Sequence, residues 1–367
     1  MHELLLEVKG QTSALNILHN IYSSKRIPNA ILLTGIEGIG KYYSAIQLLK
    51  LLNGNSNLIN QKISNLSEPY VKLIFPLPRG KSESNFDSPL DKLSQDEIEI
   101  INEQVKQKSV NSYHQIHIKN ANNIKISSIR EINKTLSLNY DEITYRGIII
   151  IDAHKMSIEA QNAFLKNLEE PPNGVIFILI SNQPDQLLTT IKSRCWTINF
   201  SPLNENEIKQ ILITKFDYSE EVIDYVLPFT NGSVTNAVFL LENDFEKYIQ
   251  KSITILRYSL AGKYFTASKE FSSLIENNSG TDFSTIIDLI ITWFNDTLRS
   301  KFEINNIKFN NYKDTLEKFN SRFLKTDTNE IIAKLVSYRE AAERNVNLNL
   351  IMMNVIFEIA SIGMKAK

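Results

Sequence analysis

A glycine-rich turn that ends in lysine is the segment of this chain best suited to chemistry. The run GIEGIGKY occupies residues 35–42 and follows the apolar segment NAILLT. In a phosphate-binding loop of the form G-x-x-x-x-G-K-[ST], backbone N–H groups face phosphate oxygens, the lysine reaches the outer phosphates, and the last hydroxyl holds Mg²⁺. Tyr42 stands where that hydroxyl is expected, and a phenol at the end of a rigid ring does not reach the same point. The positions that match a degenerate nucleotide site are Gly35, Gly38, Gly40 and Lys41.

A second part of the same machinery is expected at the end of a later strand. Asp152 follows a run of isoleucines, where it is placed to hold the water shell of a metal ion. Hydrolysis also needs a carboxylate that polarises the attacking water, and in the common D-E form this is the next residue, here Ala153. Because a general base contributes roughly 10²–10⁴-fold to a rate, we predict negligible ATPase activity. A glycine-rich turn kept only for packing remains an alternative at this point.

Alternating strand and helix patterns must position these residues. A β-α-β-α order implies a mostly parallel sheet covered by helices, with ligands beyond the carboxyl ends of its strands. Past Phe200 the strand patterns stop and only helical periodicity continues. The apolar runs predict strands at Asn29–Thr34, Tyr113–Asn120, Gly147–Asp152 and Val175–Ser181.

The bulk composition excludes several classes of protein. The 367 residues exceed what one core usually supports, and a formal net charge of −1 gives no general attraction to nucleic acid or membrane. The single cysteine, Cys195, excludes a disulfide and a multi-cysteine zinc site within the chain. No apolar run approaches the roughly 20 residues that span a bilayer, and the N-terminus lacks the features of a signal peptide. We therefore expect a cytoplasmic protein.

Other polar residues give weaker signals. Residues 79–94 are rich in Ser, Asn, Asp and Pro, which is typical of a surface loop or a partly disordered insertion, and an amphipathic helix is predicted after them. His114 and His117 lack further ligands, so a structural role is favoured over a metal site. Four basic residues could contact DNA phosphates or form an ordinary solvated helix face, namely Lys119, Lys125, Arg130 and Lys134.

A capped helix precedes the last predicted strand. Ser157 is a typical N-cap, and two prolines at 171–172 end the helix. Glu169 and Glu170 lie near its C-terminus, where the helix dipole is unfavourable for carboxylates, so a partner cation elsewhere is predicted. Solvated carboxylates are the alternative. The run IKSRC then places Arg194 at the boundary between the α/β part and the helical part.

Together these motifs resemble the AAA+ clamp-loader family of bacterial DNA polymerase III, and its delta-prime subunits in particular. The resemblance covers residues 1–243 well and the tail more weakly. It is carried by VKGQ at residues 8–11, the phosphate loop, LEEPP at 168–172 and SRC at 193–195, and in the tail by WFND at 293–296 and RNVN at 344–347.

The resemblance implies a role for Arg194. In this family the SRC arginine acts in trans, reaching across a subunit interface to the γ-phosphate of ATP bound by a neighbour. The physics is suitable, because a guanidinium offers a fixed fork of donors to phosphate oxygens, and such arginine fingers contribute about 10³–10⁵-fold to a rate. Motor subunits of the family carry a sensor arginine where this chain has Thr235. The four-cysteine zinc module of many relatives has no counterpart here.

The resemblance also implies a fold and a set of partners. The expected fold is an α/β AAA+ module with a parallel sheet and flanking helices at residues 1–200, a small helical lid at 201–244 and an all-α collar domain at 245–367. The implied partners are gamma/tau motor subunits, the delta subunit, the sliding clamp and primer–template DNA. No cofactor is required and neither zinc nor a membrane is expected, while weak binding of ATP or ADP stays open.

The sequence therefore predicts a delta-prime-like stator, a subunit without ATPase activity of its own that completes a neighbour's ATP site with Arg194. Two alternatives stay open. One is an active gamma/tau-like ATPase motor, against which Tyr42, Ala153 and Thr235 argue. The other is a decayed AAA+ interaction scaffold that acts outside replication.

Overall fold

The structure is a computed structural model, and two parts of the predicted motifs lie outside its described residues. These are positions 85–86 of the insertion and Arg344 with Asn345 of the RNVN run. The described residues are 2–54, 56–84, 87–137, 143–275, 280–302, 304, 307–323, 326–343 and 346–365.

The chain divides into two compact units by its internal contacts. The first comprises residues 1–220 and 230–238, and the second comprises residues 221–229 and 239–367. The proposed division into module, lid and collar, with boundaries after residues 200 and 244, stays a prediction. Among the described helices, none combines the length and the apolar character that crossing a bilayer requires.

A five-stranded parallel sheet forms the centre of the first unit, which confirms the predicted fold class. The strand order is β2-β3-β4-β1-β5, and every neighbouring pair runs parallel. Strands β1, β3 and β4 are buried along their whole length, as expected of continuous apolar runs covered on both faces. The strands are β1 Ala30–Thr34, β2 Val71–Ile74, β3 Arg146–Ile150, β4 Val175–Ser181 and β5 Trp196–Asn199.

The strand predicted at Tyr113–Asn120 is wrong, and that segment is irregular. Its backbone groups bond to side chains instead of to a neighbouring strand. The Lys108 ammonium donates to the carbonyl oxygens of Ser112 and His114, and the His117 N–H donates to the side chain of Gln104. The second strand along the chain is instead Val71–Ile74, at one edge of the sheet, which the sequence pattern did not identify.

Helices follow the predicted order. Ser157 accepts a hydrogen bond from the Ala160 N–H at 3.1 Å, which confirms the predicted cap. Past β5 the described residues contain helices and no strand. The helices of the first unit and of its boundary are α1 Glu3–Leu6, α2 Thr12–Ser23, α3 Lys41–Leu52, α4 Asn57–Ser64, α5 Gln95–Val110, α6 Ile126–Leu136, α7 Ile158–Glu169, α8 Thr189–Lys192, α9 Glu205–Phe216, α10 Glu220–Val226 and α11 Val234–Glu242.

The second unit is helical and has its own apolar core. Fully buried aromatic side chains, among them Phe271, Phe283 and Phe294, lie in that core. Asp296 of the predicted WFND run is fully buried and accepts hydrogen bonds from the N–H groups of Lys308 and Phe309. The helices are α12 Phe245–Leu260, α13 Tyr264–Ile275, α14 Gly280–Lys301, α15 Lys313–Arg322, α16 Thr328–Glu343 and α17 Leu348–Lys365.

Candidate functional site

The phosphate loop joins β1 to α3, and its middle glycine is in close contact with a later segment of the same unit. Gly38 has φ +74°, a conformation that favours glycine, and a Cβ there would lie 2.4 Å from Ser233 Oγ and 2.7 Å from Thr235 N. The Val234 N–H donates to the Gly38 carbonyl oxygen at 2.9 Å. Residues 233–235 therefore cover the loop directly, and Gly38 leaves the space for them.

Lys41 is turned into its own loop. Its residue is only 6% exposed, and its ammonium donates to the carbonyl oxygen of Gly35 at 2.6 Å and to that of Ile36. Burial lowers the pKa of Lys41 to about 8, although the nearby carboxylates of Glu37 and Asp152 act in the opposite direction. The group that would reach outer phosphates thus serves as a clasp between the two ends of the loop.

Tyr42 occupies the position of the metal-binding hydroxyl and is buried, as its ring requires. Its own hydroxyl has no hydrogen-bond partner among the described residues, and burial raises its pKa. The ammonium of Lys108 lies 4.6 Å from the centre of the Tyr42 ring, within the range of a cation–π contact. The phenol is therefore part of the packing around the loop rather than a ligand.

Asp152 lies at the carboxyl end of β3, on the same edge of the sheet as the loop. Its carboxylate pairs with the Lys155 ammonium at 2.9 Å. Burial by itself would raise the pKa of Asp152, but the charge and hydrogen bond of Lys155, helped by His154 and Lys41, hold that pKa below its ordinary value. The next residue, Ala153, is fully buried and offers no carboxylate.

A second lysine, which the sequence reasoning missed, completes this region. Lys108 of α5 is 7% exposed, and burial lowers its pKa to about 8. Its ammonium donates to the carbonyl oxygens of Ser112 and His114 at 2.9 and 2.6 Å, so it fixes the segment that follows α5. Tyr113 lies between these two residues in the sequence. Its carbonyl oxygen accepts a hydrogen bond from the Thr235 hydroxyl at 2.9 Å.

These groups surround one small cavity, which brings together the predicted residues Gly38, Gly40, Lys41 and Asp152. Its volume is about 50 Å³, room for a few water molecules. Gly35 is connected to the cavity through Lys41, whose ammonium donates to the Gly35 carbonyl oxygen. The cavity also has an acid inside the phosphate loop. Glu37 lies at its solvent-exposed rim, accepts a hydrogen bond from Gln115 at 2.7 Å, and has its pKa raised to about 7 by desolvation and then by the charge of Asp152.

Three features of this arrangement oppose the binding of a magnesium nucleotide. The Lys41 ammonium is engaged by backbone carbonyls, a carboxylate stands within the loop, and residues 233–235 lie on Gly38. Two lysines, Lys41 and Lys108, face the carboxylates of Glu37 and Asp152, and Asp152 also pairs with Lys155, so both carboxylates lie near cations of the chain itself. The sequence signal for this closure was Glu37 itself, because an acid in a phosphate loop opposes the charge of a phosphate.

Arg194 lies outside that cavity, just after α8. Its guanidinium donates to the Glu169 carboxylate at 2.8 Å and to the Thr190 carbonyl oxygen at 3.0 Å. The Arg194 side chain remains 36% exposed and that of Glu169 49% exposed. This pair confirms, for Glu169, the prediction that a cation meets the carboxylates at the end of α7. The neighbouring Cys195 is buried, and burial raises the pKa of its thiol to about 12.

The side chain of Lys125 binds several groups in and beside the insertion at residues 79–94. Its ammonium pairs with the Glu83 carboxylate at 2.9 Å and donates to the carbonyl oxygens of Pro78 and Pro89. Both side chains are nearly buried, at 13% and 5% exposure. Neither sequence interpretation of Lys125, as a DNA contact or as a solvated helix face, is therefore correct.

Family models match both halves of the chain. The family described as DNA polymerase III, delta subunit matches residues 10–204. The family described as DNA polymerase III, delta subunit, C terminal matches residues 253–361.

Individual relatives are more distant. The chain is 26% identical over 240 residues to DNA polymerase III subunit delta' of Bacillus subtilis, which covers 64% of this chain and 71% of that one. It is 29% identical over 182 residues to subunit tau of the same organism, which covers 48% of this chain but only 32% of tau. A solved DNA polymerase III gamma subunit-related protein of Thermotoga maritima has a TM-score of 0.45 at 16% identity and covers 95% of this chain and 99% of its own.

Proposed function

The chain belongs to the DNA polymerase III delta-subunit family of AAA+ clamp-loader proteins, and on that basis we propose that it is a delta-prime-like stator. In this role the subunit turns over no ATP itself and supplies Arg194 to the ATP site of a neighbouring motor subunit. The proposed partners are gamma/tau and delta subunits, with the sliding clamp and primer–template DNA reached through the complex.

The observation that carries the proposal is the exposed guanidinium of Arg194. Two hydrogen bonds from its own subunit hold it, and a guanidinium has five N–H donors, so three remain for an incoming acceptor. A planar, permanently charged fork suits phosphate oxygens better than an ammonium does. Lys41, in contrast, is buried and donates to carbonyl oxygens of its own loop.

The cavity around the phosphate loop supports the second half of the proposal, an inert nucleotide site. The Lys41 clasp, the buried phenol of Tyr42 and the missing carboxylate at Ala153 each remove a different requirement for hydrolysis. Isothermal calorimetry of the isolated protein with ATP and with ADP, each with and without Mg²⁺, tests this half. We expect no saturable heat; tight binding with turnover that Lys41→Ala abolishes would instead identify an active motor.

The decisive experiment measures ATP hydrolysis by a loader reconstituted from this chain with the gamma/tau and delta subunits of the same organism. Arg194→Ala should lower turnover at the site it completes by about 10³–10⁵-fold. Lys192→Ala is the matched control, since it removes a neighbouring cation that pairs only with an exposed Asp185 at 3.5 Å. Unchanged turnover with Arg194→Ala, in a complex that still assembles, would favour the interaction-scaffold alternative.

A further inference from the structure

The end of α7 carries a carboxylate that the helix alone does not favour. Glu169 is the last residue of that helix, where the backbone dipole presents partial negative charge. The helix stops there because the next residue but one begins the pair of prolines. The Glu169 carboxylate is therefore not explained by helix stability, and its bond of 2.8 Å to the Arg194 guanidinium needs another explanation.

Stability of the fold does not supply that explanation either. Both partners are well exposed, at 49% and 36%, and ion pairs between exposed side chains contribute little to the stability of a protein. What the pair does achieve is orientation. Arg194 is held from two sides, by the carbonyl oxygen of Thr190 and by the carboxylate of Glu169, which come from two different helices.

We infer that Glu169 is a positioning residue for Arg194, an inference that rests on the function proposed above. Arginine has one of the most mobile side chains, and an unrestrained guanidinium spends most of its time in rotamers that a neighbour's phosphate cannot use. The Glu169 carboxylate selects one orientation before any partner binds. Since it uses one N–H and Thr190 uses another, the fork keeps N–H groups for the phosphate.

The effect should appear in turnover and not in ATP affinity. A displacement of about 1 Å in a group that acts on the transition state can cost about 10²-fold in rate, whereas ATP itself is held by the neighbour's own loop. Because an exposed ion pair biases the orientation only weakly, Glu169→Ala in the reconstituted loader should lower kcat by about 2- to 5-fold and leave KM for ATP unchanged. Glu169→Gln keeps an oxygen acceptor for the guanidinium and should recover most of that loss.

A matched control and a double variant separate positioning from a general structural role. Asp185→Ala breaks the ion pair between Asp185 and Lys192, the last residue of α8. This variant should leave kcat at the wild-type value. Glu169→Ala added to Arg194→Ala should lower kcat no further than Arg194→Ala alone, because Glu169 acts only through that arginine.

The outcomes distinguish the inference from the function it rests on. If Arg194→Ala leaves kcat unchanged, the stator function and the role of Glu169 both fall. If Arg194→Ala lowers kcat but Glu169→Ala does not, only the positioning role is overturned. A loss with Glu169→Ala that persists in the Arg194→Ala background, or that Glu169→Gln does not recover, would also overturn it.

Discussion

Two basic side chains of the first unit, Lys41 and Arg194, belong to motifs that handle phosphate, and the structure uses them in opposite ways. Both donate to backbone carbonyl oxygens close to them in the chain. Lys41 is 6% exposed and its ammonium closes its own loop, whereas the Arg194 side chain is 36% exposed and keeps unused donors. Under the proposed function, exposure rather than the presence of a cation distinguishes a group available to a partner from one that serves the fold.

The charges around the two groups differ in the same sense. In the cavity, Lys41 and Lys108 face the carboxylates of Glu37 and Asp152, and these carboxylates oppose the approach of an external phosphate. Outside the cavity, the guanidinium of Arg194 pairs with the carboxylate of Glu169, whose side chain is 49% exposed. A buried charge must be neutralised within the chain, because burial penalises it heavily, while an exposed charge can wait for a partner. The predictions below test this contrast.

The largest effect is expected from Arg194→Lys, which keeps the positive charge at position 194 and removes the planar guanidinium. A single ammonium cannot hold the Glu169 carboxylate, the Thr190 carbonyl and a phosphate in the same planar geometry. Turnover by the reconstituted loader should therefore fall by nearly as much as with Arg194→Ala, about 10³-fold or more at the affected site. Near wild-type turnover would mean that a positive charge at position 194 suffices and that the planar geometry of the guanidinium is unimportant.

Next in size is the loss of stability from Gly38→Ala, which tests the closure of the cavity. A Cβ at Gly38 would lie 2.4 Å from Ser233 Oγ, while at Gly54, with φ +82°, it would meet no atom of the described residues within 4 Å. Gly54→Ala should cost only the left-handed backbone conformation, about 1–2 kcal/mol. Gly38→Ala should cost about 1–3 kcal/mol more, from overlap with residues 233–235.

Thermal unfolding of the two glycine variants measures that difference. Each kcal/mol corresponds to about 2–4 °C in Tm for a unit of this size, so the two variants should be clearly resolved. Equal shifts in Tm for both would show that residues 233–235 do not lie on the loop in solution.

Most of the framework around both regions could be predicted from the sequence. The strands β1, β3 and β4 are long apolar runs, and their burial on both faces is what such runs require. The loop after β1 and Asp152 after β3 then fall at one edge of the sheet. The cation expected for the carboxylates at the end of α7 is Arg194, as the helix dipole suggested.

The remainder depends on contacts between segments far apart in the chain. Lys108 looks like one more lysine on an amphipathic helix, and its sequence neighbours do not show that its ammonium will donate hydrogen bonds to the carbonyl oxygens of Ser112 and His114. The same contacts made the alternating pattern after Tyr113 misleading, because they occupy backbone groups that a strand would use. The inward turn of Lys41 likewise depends on the orientation of two loop carbonyls, which periodicity does not encode.

A smaller effect is expected from Lys108→Met, and its dependence on pH separates it from the loss of the two hydrogen bonds of Lys108. Burial lowers the pKa of Lys108 from 10.5 to about 8. Below pH 8 Lys108 is protonated in both the folded and the unfolded chain, and the cost of burying its charge is fully present. Between pH 8 and 10.5 only the unfolded chain keeps the proton, so the free energy of unfolding rises with pH. In Lys108→Met that rise, at most about 1.4 kcal/mol per pH unit, should be missing.

The pH effect is measured by urea unfolding of the wild type and the variant at a series of pH values across that range. Lys106→Met is the control, since Lys106 lies on the same helix and is exposed. The free energies of unfolding of wild type and Lys106→Met should run parallel with pH. If Lys108→Met also runs parallel to the wild type, the ammonium of Lys108 is not buried beside the cavity in solution.

The smallest effect is expected where a motor protein would show the largest, at Lys41. Lys41→Met keeps the length of the side chain and removes the ammonium, and with it the two bonds to the carbonyl oxygens of Gly35 and Ile36. The loop loses its clasp, so Tm should fall slightly. ATP turnover by the reconstituted loader should stay within about twofold of the wild type, because this ammonium never meets a phosphate. A large loss of turnover in an assembled complex would show that the cavity opens and binds nucleotide, and the contrast between Lys41 and Arg194 would no longer hold.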